Sequence, residues 1–416
     1  MKKMKQFRQT AISNHLFLQI VNISGQVVLV PVFLRNYSQD LYVFWIVMGA
    51  LSSFMLLADS AILQTFSVRL TKYYIENNSI SQSLIRQVIR TLVVLELVSF
   101  VFLISAFGVV RVRHDASQTS FIVAISILCS LLLANMITVA IHFYLLLFQV
   151  SGEYKMGINF ISKGKIVEVC FLIVLASFGL ELLKLALAIV AIRLITAYLM
   201  ARRLKIPKDE IELPVSRDSL LTRNLAGAIA MSATVILASQ GMLVVLSQWA
   251  SAKEILLFTV SKMLAVPVRI AADSFALGTF PLLVKKFHLQ ENLISSSKKL
   301  VQLYLSLVIA LVPIIVILGS RFFGHLTNNE IAFNFNFLIL TIASVALDGL
   351  VTILFQQVLI SSKSFQPGIS YLLLTILQLV IVGIFLTLHN IVHVVLLNIV
   401  GDLIMLLLIR KAKVEK

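Results

Sequence analysis

Charge is scarce in this chain. Asp, Glu, Lys and Arg make up 13% of its 416 residues, about half of the quarter that soluble domains carry. A water-facing surface cannot be built from so few. Hydrophobic residues supply 59% and the mean hydropathy is +0.98, so lipid must replace water around much of the chain. Cysteine is nearly missing too. Cys129 and Cys170 both sit in apolar runs, which excludes a disulfide framework and a cysteine metal site. No P-loop, nucleophile elbow or H-E-x-x-H is present, so neither nucleotide hydrolysis nor another enzymatic activity is expected. The basic start MKKMKQFRQT has no small-residue cleavage site after it. The first apolar segment therefore reads as a retained span.

What is present is apolar runs of bilayer length. Windows of about 20 apolar residues give twelve spans, near 14–34, 41–66, 87–110, 120–148, 166–181, 184–200, 224–248, 255–281, 300–319, 333–360, 367–388 and 391–409. The expected fold is an all-α integral membrane protein of about twelve transmembrane helices. The spans 166–181 and 184–200 are short and joined by a tight GLELLK turn; a single bent span is the alternative there. With both termini cytoplasmic, 25 of the 35 Lys and Arg residues fall on the cytoplasmic side and only six on the outer side, an asymmetry that sets orientation. The net charge of +16 is thus mostly a topology signal, with no nucleic acid implied and membrane lipid as the natural counter-surface.

The stretch 201–223, with Pro207, Pro214 and mixed charge, reads as a cytoplasmic linker between a six-helix half at 1–200 and another at 224–416. The halves resemble each other. A shift of 214 residues sets 58–83 against 272–297 without a gap, and 11 of 26 positions are identical, most of them polar or in the loop. An even number of spans between the copies makes them parallel repeats.

The charges inside the spans draw attention because each costs several kcal/mol unless it faces protein or a watery cavity. Lys262, Arg269 and Asp273 lie in the span from Ile255 to Pro281. Seven residues are about two helical turns and four are about one, so the three share a face. Two readings stand side by side: a structural Arg269–Asp273 pair at i,i+4, or a cationic site on a substrate path. The repeat separates shared from unshared groups. Asp59 and Asp273 are equivalent and read as architectural, whereas Lys262 and Arg269 face Met48 and Met55 and lean towards ligand. Pro267 between them is expected to disturb the helix. Glu96, Glu168, Asp348, Asp402 and His142 also lie in or near spans, as partners for buried cations or carriers of a coupling proton or sodium ion. His389 and His393 are one turn apart, but no third ligand is near, so no metal site is expected.

The early D-S-A after a long span, the basic loop that follows, and the segment from Gln240 to Phe287 ending its helix in F-P before another basic loop resemble polysaccharide flippases of the Wzx type. These belong to the multidrug/oligosaccharidyl-lipid/polysaccharide (MOP) exporter superfamily. The sequence departs from that pattern at Ala61, Gln240 and Leu257–Phe258. The resemblance implies a transporter of the bacterial cytoplasmic membrane that moves an undecaprenyl-diphosphate-linked oligosaccharide to the outer leaflet for O-antigen or other surface polysaccharide. A polysaccharide polymerase and a chain-length regulator would be its partners, and it would need no cofactor beyond a coupling ion. Lys262, Arg269 and Arg193 would then meet the diphosphate, and Asn22, Gln26, Asn135 and Gln240 the sugar, with helix–helix hydrogen bonding the competing role for each amide.

Three other readings differ in kind. A drug or cation antiporter of the same superfamily is disfavoured by a cationic cavity. A major-facilitator transporter should carry glycine after span 2, where TFSVRLTKYY has none. A membrane glycosyltransferase or polymerase would need a large outer loop, and the longest here, near 319–332, is short and almost neutral.

Overall fold

The computed structural model describes residues 27–56, 80–109, 121–151, 153–204, 208–209, 219–288, 293–329, 331–360, 365–385 and 391–414, with single positions 17, 20, 21, 24, 25, 62, 63, 66 and 70. Asn22, Gln26, Asp59 and His389 lie outside the described residues, as does most of the first repeat copy.

Among the described residues the regular structure is helical, apart from one two-residue parallel pairing, Ile80–Ser81 (β1) with Lys208–Asp209 (β2). In chain order the helices are α1 (Val27–Asn36), α2 (Gln39–Ser53), α3 (Gln82–Val109), α4 (Phe121–Val150), α5 (Tyr154–Ser177), α6 (Leu182–Arg203), α7 (Ser219–Ile236), α8 (Met242–Trp249), α9 (Ala252–His288), α10 (Leu293–Leu326), α11 (Phe335–Ile360), α12 (Phe365–Phe385) and α13 (Val392–Val414). Among the described residues, nine segments are long and apolar enough to cross a bilayer. The protein is a multi-pass membrane protein. Its lipid-facing character shows in the many exposed large hydrophobics, such as Ile122, Phe171, Ile309 and Leu407, which water would not tolerate in such number.

The structure refines the spans read in the sequence at several points. The helix expected to begin at 166 begins at Tyr154 instead, which brings Lys155, Lys163 and Lys165 into α5. Hydropathy misses this half because Lys155, Asn159 and Lys163 stand exposed on one side, while Gly157, Ile158 and Ser162 on the other are buried. A methyl group at Gly157 would stand 2.9 Å from Leu145 and 3.0 Å from Phe148, so glycine there permits the close approach of α5 to α4. The short spans near 166–200 are two helices and not one bent one. The turn between them places Gly179 at φ +64°, a left-handed conformation that glycine adopts without steric cost. α10 runs on to Leu326 and shortens the loop expected at 319–332, which turns on Asn328 and Asn329, both left-handed. The span at 224–248 is interrupted by a π-helical turn, Leu237–Gly241, that contains Gln240. α9 continues through Pro267.

The chain divides into two compact units, Phe44–Val244 and Met1–Val43 with Val245–Lys416. In the first, α4 packs on α5 and α6, and α5 on α6. In the second, α9 packs on α10 and α11, and α11 and α12 on α13. The second core is built on a small-residue face of α9: Ala265, Val268, Ala271, Ala272 and Ala276 lie against Leu300, Tyr304, Leu338 and Ile342. Small side chains let helix backbones approach closely where lipid supplies no hydrophobic drive. At the tightest point Gly349 of α11 meets Tyr304 and Ala272. The Tyr304 hydroxyl donates to the Ala346 carbonyl at 3.0 Å.

Candidate functional site

Among the described residues, each unit carries a polar seam between its helices. In the Phe44–Val244 unit the seam is centred on Arg193, the twelfth residue of the 22-residue α6. Its Nε donates to Glu168 Oε2 at 2.9 Å and its Nη2 to Glu168 Oε1 at 3.3 Å. Nη1 faces α4, donating to Asn135 Oδ1 and Thr138 Oγ1, both at 2.9 Å, and to the Ala134 carbonyl at 3.2 Å. Asn135 in turn donates to Ser52 Oγ at 3.0 Å. Glu168 is buried and takes a second cation: Lys165, one turn earlier on α5, donates to Oε1 at 2.6 Å. The α5–α6 approach that makes this geometry rests on Gly164, where any side chain would collide with Thr196.

The second seam runs through the other unit, from α9 to α13. Arg269 bridges two helices. Its Nε lies 3.1 and 3.2 Å from the Asp273 carboxylate oxygens on α9, and its Nη1 donates to Asp348 Oδ2 on α11. All three side chains are about a quarter exposed, at 23–26%. Lys262 lies partly buried two turns away, its Nζ 4.8 Å from the centre of the Phe258 ring, a cation–π arrangement. On α13, Asp402 is buried and accepts from the Tyr371 hydroxyl of α12 at 2.6 Å. Beside it, Gln378 Nε2 donates to the Leu397 carbonyl at 2.8 Å and occupies the space that a side chain at Gly401 would need.

The residues singled out by sequence thus fall into distinct places. Lys262, Arg269, Asp273 and Asp348 share the second seam, with the i,i+4 contact of Arg269 and Asp273 formed. Arg193 and Asn135 share the first, bonded to each other. Glu96 is buried on α3, Gln240 is half-buried in the π-helical turn, and His393 is exposed. Asn22, Gln26 and Asp59 are outside the described residues. Sequence reasoning missed Lys165, Tyr371 and Gln378. A signal for Lys165 exists: Lys165 and Glu168 are i,i+3, a spacing that brings opposite charges together on any helix. Among the described residues no group of three His, Cys, Asp or Glu side chains is arranged to hold a metal ion.

The two seams differ in charge. The first has two cations on one carboxylate. The second has two cations, Lys262 and Arg269, and three carboxylates, Asp273, Asp348 and Asp402.

No protein-family model and no curated protein matches this sequence. Solved structures do match it along the whole chain. An outward-facing multidrug resistance MATE family transporter of the MOP superfamily superposes with a TM-score of 0.66 at 13% identity, covering 98% of this chain and 95% of that one. A Vibrio cholerae MATE transporter variant gives 0.64 at 13% identity, covering 100% and 99%. A MOP superfamily transporter from Pyrococcus furiosus gives 0.63 at 12% identity, covering 98% and 95%. The chain has the fold of the MATE transporters of the MOP superfamily.

Proposed function

We propose that this chain is a flippase that carries an undecaprenyl-diphosphate-linked oligosaccharide from the cytoplasmic to the outer leaflet of a bacterial cytoplasmic membrane, for O-antigen or other surface polysaccharide. The observation that supports this reading is the placement of partly exposed cations inside helices of both units: Lys262 and Arg269 on α9, Lys165 on α5 and Arg193 on α6. Charges at such depth mark substrate paths by default, and a diphosphate is the ligand that repays the cost of holding them there. Gln240, with Asn22 and Gln26, supplies the amide chemistry for sugar hydroxyls, while buried Asn135, bonded to Arg193 and Ser52, holds the first seam together. In this reading the halves 1–200 and 224–416 are parallel six-helix repeats joined by the cytoplasmic linker 201–223, with both termini in the cytoplasm. The helix starts are in keeping with the repeat, since α4 begins at Phe121 and α11 at Phe335. Asp59, Asp273, Asp348 and Glu96 are the structural or ion-coupling charges, and a polymerase and chain-length regulator act on the exported unit.

A second reading has its own support. In the second seam carboxylates outnumber cations, which favours a cationic cargo, and the outward-facing neighbour is a multidrug resistance transporter. Pocket charge is not uniform within this fold: the Pyrococcus furiosus protein is described by a reverse polarity of its binding pocket that suggests a different function. Cells lacking the chain separate the two readings. On the flippase reading they accumulate lipid-linked oligosaccharide on the cytoplasmic leaflet, lose surface glycan and keep their resistance to cationic dyes. Unchanged surface glycan with new dye sensitivity would replace that reading with drug export.

A further inference from the structure

The first seam holds more positive charge than its one carboxylate can balance, and it does so midway along α6, one of the candidate membrane spans. Glu168 lies nine residues before the end of α5 at Ser177, and Arg193 eleven residues after the start of α6 at Leu182. At 1.5 Å per residue these are depths of about 14 and 17 Å from the connecting turn, close to the midplane of a hydrocarbon core roughly 30 Å thick. Lys165 is at the same level, the twelfth of 24 residues in α5.

The three charges have unequal jobs. Arg193 is fixed: its Nε and Nη2 hold Glu168, and its Nη1 is tied to α4 through Asn135, Thr138 and Ala134. Glu168 is fixed by Arg193 through both oxygens and is 5% exposed at the side chain. Lys165 is the least held. Its side chain is 29% exposed, and among the described residues its ammonium makes one hydrogen bond, to Glu168 Oε1. An ammonium has three donors. Removing Lys165 would leave a neutral Arg193–Glu168 pair with its geometry complete, so the lysine adds nothing the helix packing needs. Its presence costs several kcal/mol at this depth unless an anion or water serves it.

We propose that Lys165 and Arg193 form an anion-exchange site in which Glu168 is the resident anion. A phosphoryl group arriving on a cargo takes the open donors of Lys165 and draws the ammonium from Glu168, which stays neutralised by Arg193. The carboxylate keeps the empty site tolerable in lipid, and the surplus cation selects for cargo that brings negative charge. This rests on the flippase reading for the identity of the cargo, but the anion site itself does not.

The test uses the full-length purified protein and inorganic pyrophosphate, followed by thermal unfolding in detergent. Wild type is expected to be stabilised by pyrophosphate in a saturable manner. Lys165→Gln is expected to bind it about tenfold or more weakly, the loss expected for a charge-assisted contact, while its Tm without anion stays at or above that of wild type. Lys165→Arg keeps the binding. Glu168→Gln, if it folds, binds pyrophosphate more tightly because the competing carboxylate is gone. Should Glu168→Gln fail to fold, the two Lys165 variants decide alone. Equal pyrophosphate binding by wild type and Lys165→Gln overturns the proposal, as does a Tm of Lys165→Gln well below wild type, which would make the lysine a structural strut. Phosphatidylglycerol in place of pyrophosphate distinguishes the source of the anion: stabilisation by this lipid alone would assign the site to bilayer headgroups and refute the cargo role. Lipid-linked glycan transport is scored separately. Transport that is intact in Lys165→Gln sinks this proposal and leaves the flippase reading standing. Pyrophosphate binding without any glycan transport by wild type does the reverse.

Discussion

Replacing Arg269 by alanine strands two carboxylates, not one, and this sets the size of the effect. Breaking a buried ion pair by removing one partner costs about 3–5 kcal/mol. Arg269, Asp273 and Asp348 are each about a quarter exposed, which moves each contact below that range, but both contacts are lost together. A net cost of about 3 kcal/mol follows, or a fall in Tm of roughly 6–12 °C for a unit of some 200 residues. Because Arg269 joins α9 to α11, the damage falls on the largest interhelical contact of its unit. The assay is protein level in membranes together with Tm in detergent. Arg269→Ala/Asp273→Ala, which the sequence alone suggests as a full rescue, is expected to recover only part of the loss, because Asp348 still lacks its cation. Arg269→Met/Asp273→Asn/Asp348→Asn, with no charge left to desolvate, is expected to recover abundance and Tm. Wild-type stability in Arg269→Ala, or complete recovery in the double variant, would refute the bridging role.

Other expectations concern packing, a buried acid and topology. Gly349→Ala would place its methyl group against the Tyr304 hydroxyl and 2.7 Å from Ala272 Cβ; it should lower Tm by an amount worth about 1–3 kcal/mol, partly regained in Gly349→Ala/Tyr304→Phe. Tyr371→Phe removes the donor to buried Asp402 and should cost about 1.5–3 kcal/mol, while Asp402→Asn, which keeps an acceptor without the charge, should cost less; the same unfolding measurement compares them. Reporter fusions at Ser216 and Lys416 should both signal cytoplasm, and an outer signal at either would overturn the orientation drawn from the excess of basic residues on that side.

The sequence made the membrane class and the charged face of α9 legible, because both follow from properties local to one helix. Hydropathy marks spans, and the i,i+4 spacing of Arg269 and Asp273 dictates their contact whatever surrounds them. That Asp348 and Glu168 would serve as partners to the buried cations was open to reading only in kind. Which acid meets which cation is set by α9 packing on α11 and α5 on α6, contacts between residues 79 and 25 apart in the chain. Tyr371–Asp402 and Gln378–Leu397 were hidden for the same reason. Lys165 was hidden by a different one. A hydropathy window ends where polar residues begin, yet α5 continues for another three turns because Gly157 packs against α4 and Gly164 against α6, with Ser162 buried between them in sequence. The surplus positive charge of the first seam, invisible while Lys165 was assigned to a loop, is the consequence.

The central claim is that cations at membrane depth recognise an anionic lipid-linked cargo. Its most direct test is leaflet exchange in liposomes containing the purified chain, with two fluorescent carriers bearing the same oligosaccharide, one on undecaprenyl diphosphate and one on an uncharged polyprenol. The account predicts rapid exchange of the diphosphate carrier, little exchange of the neutral one, and loss of that preference in Lys262→Gln and Lys165→Gln. Equal rates for both carriers in wild type would contradict it.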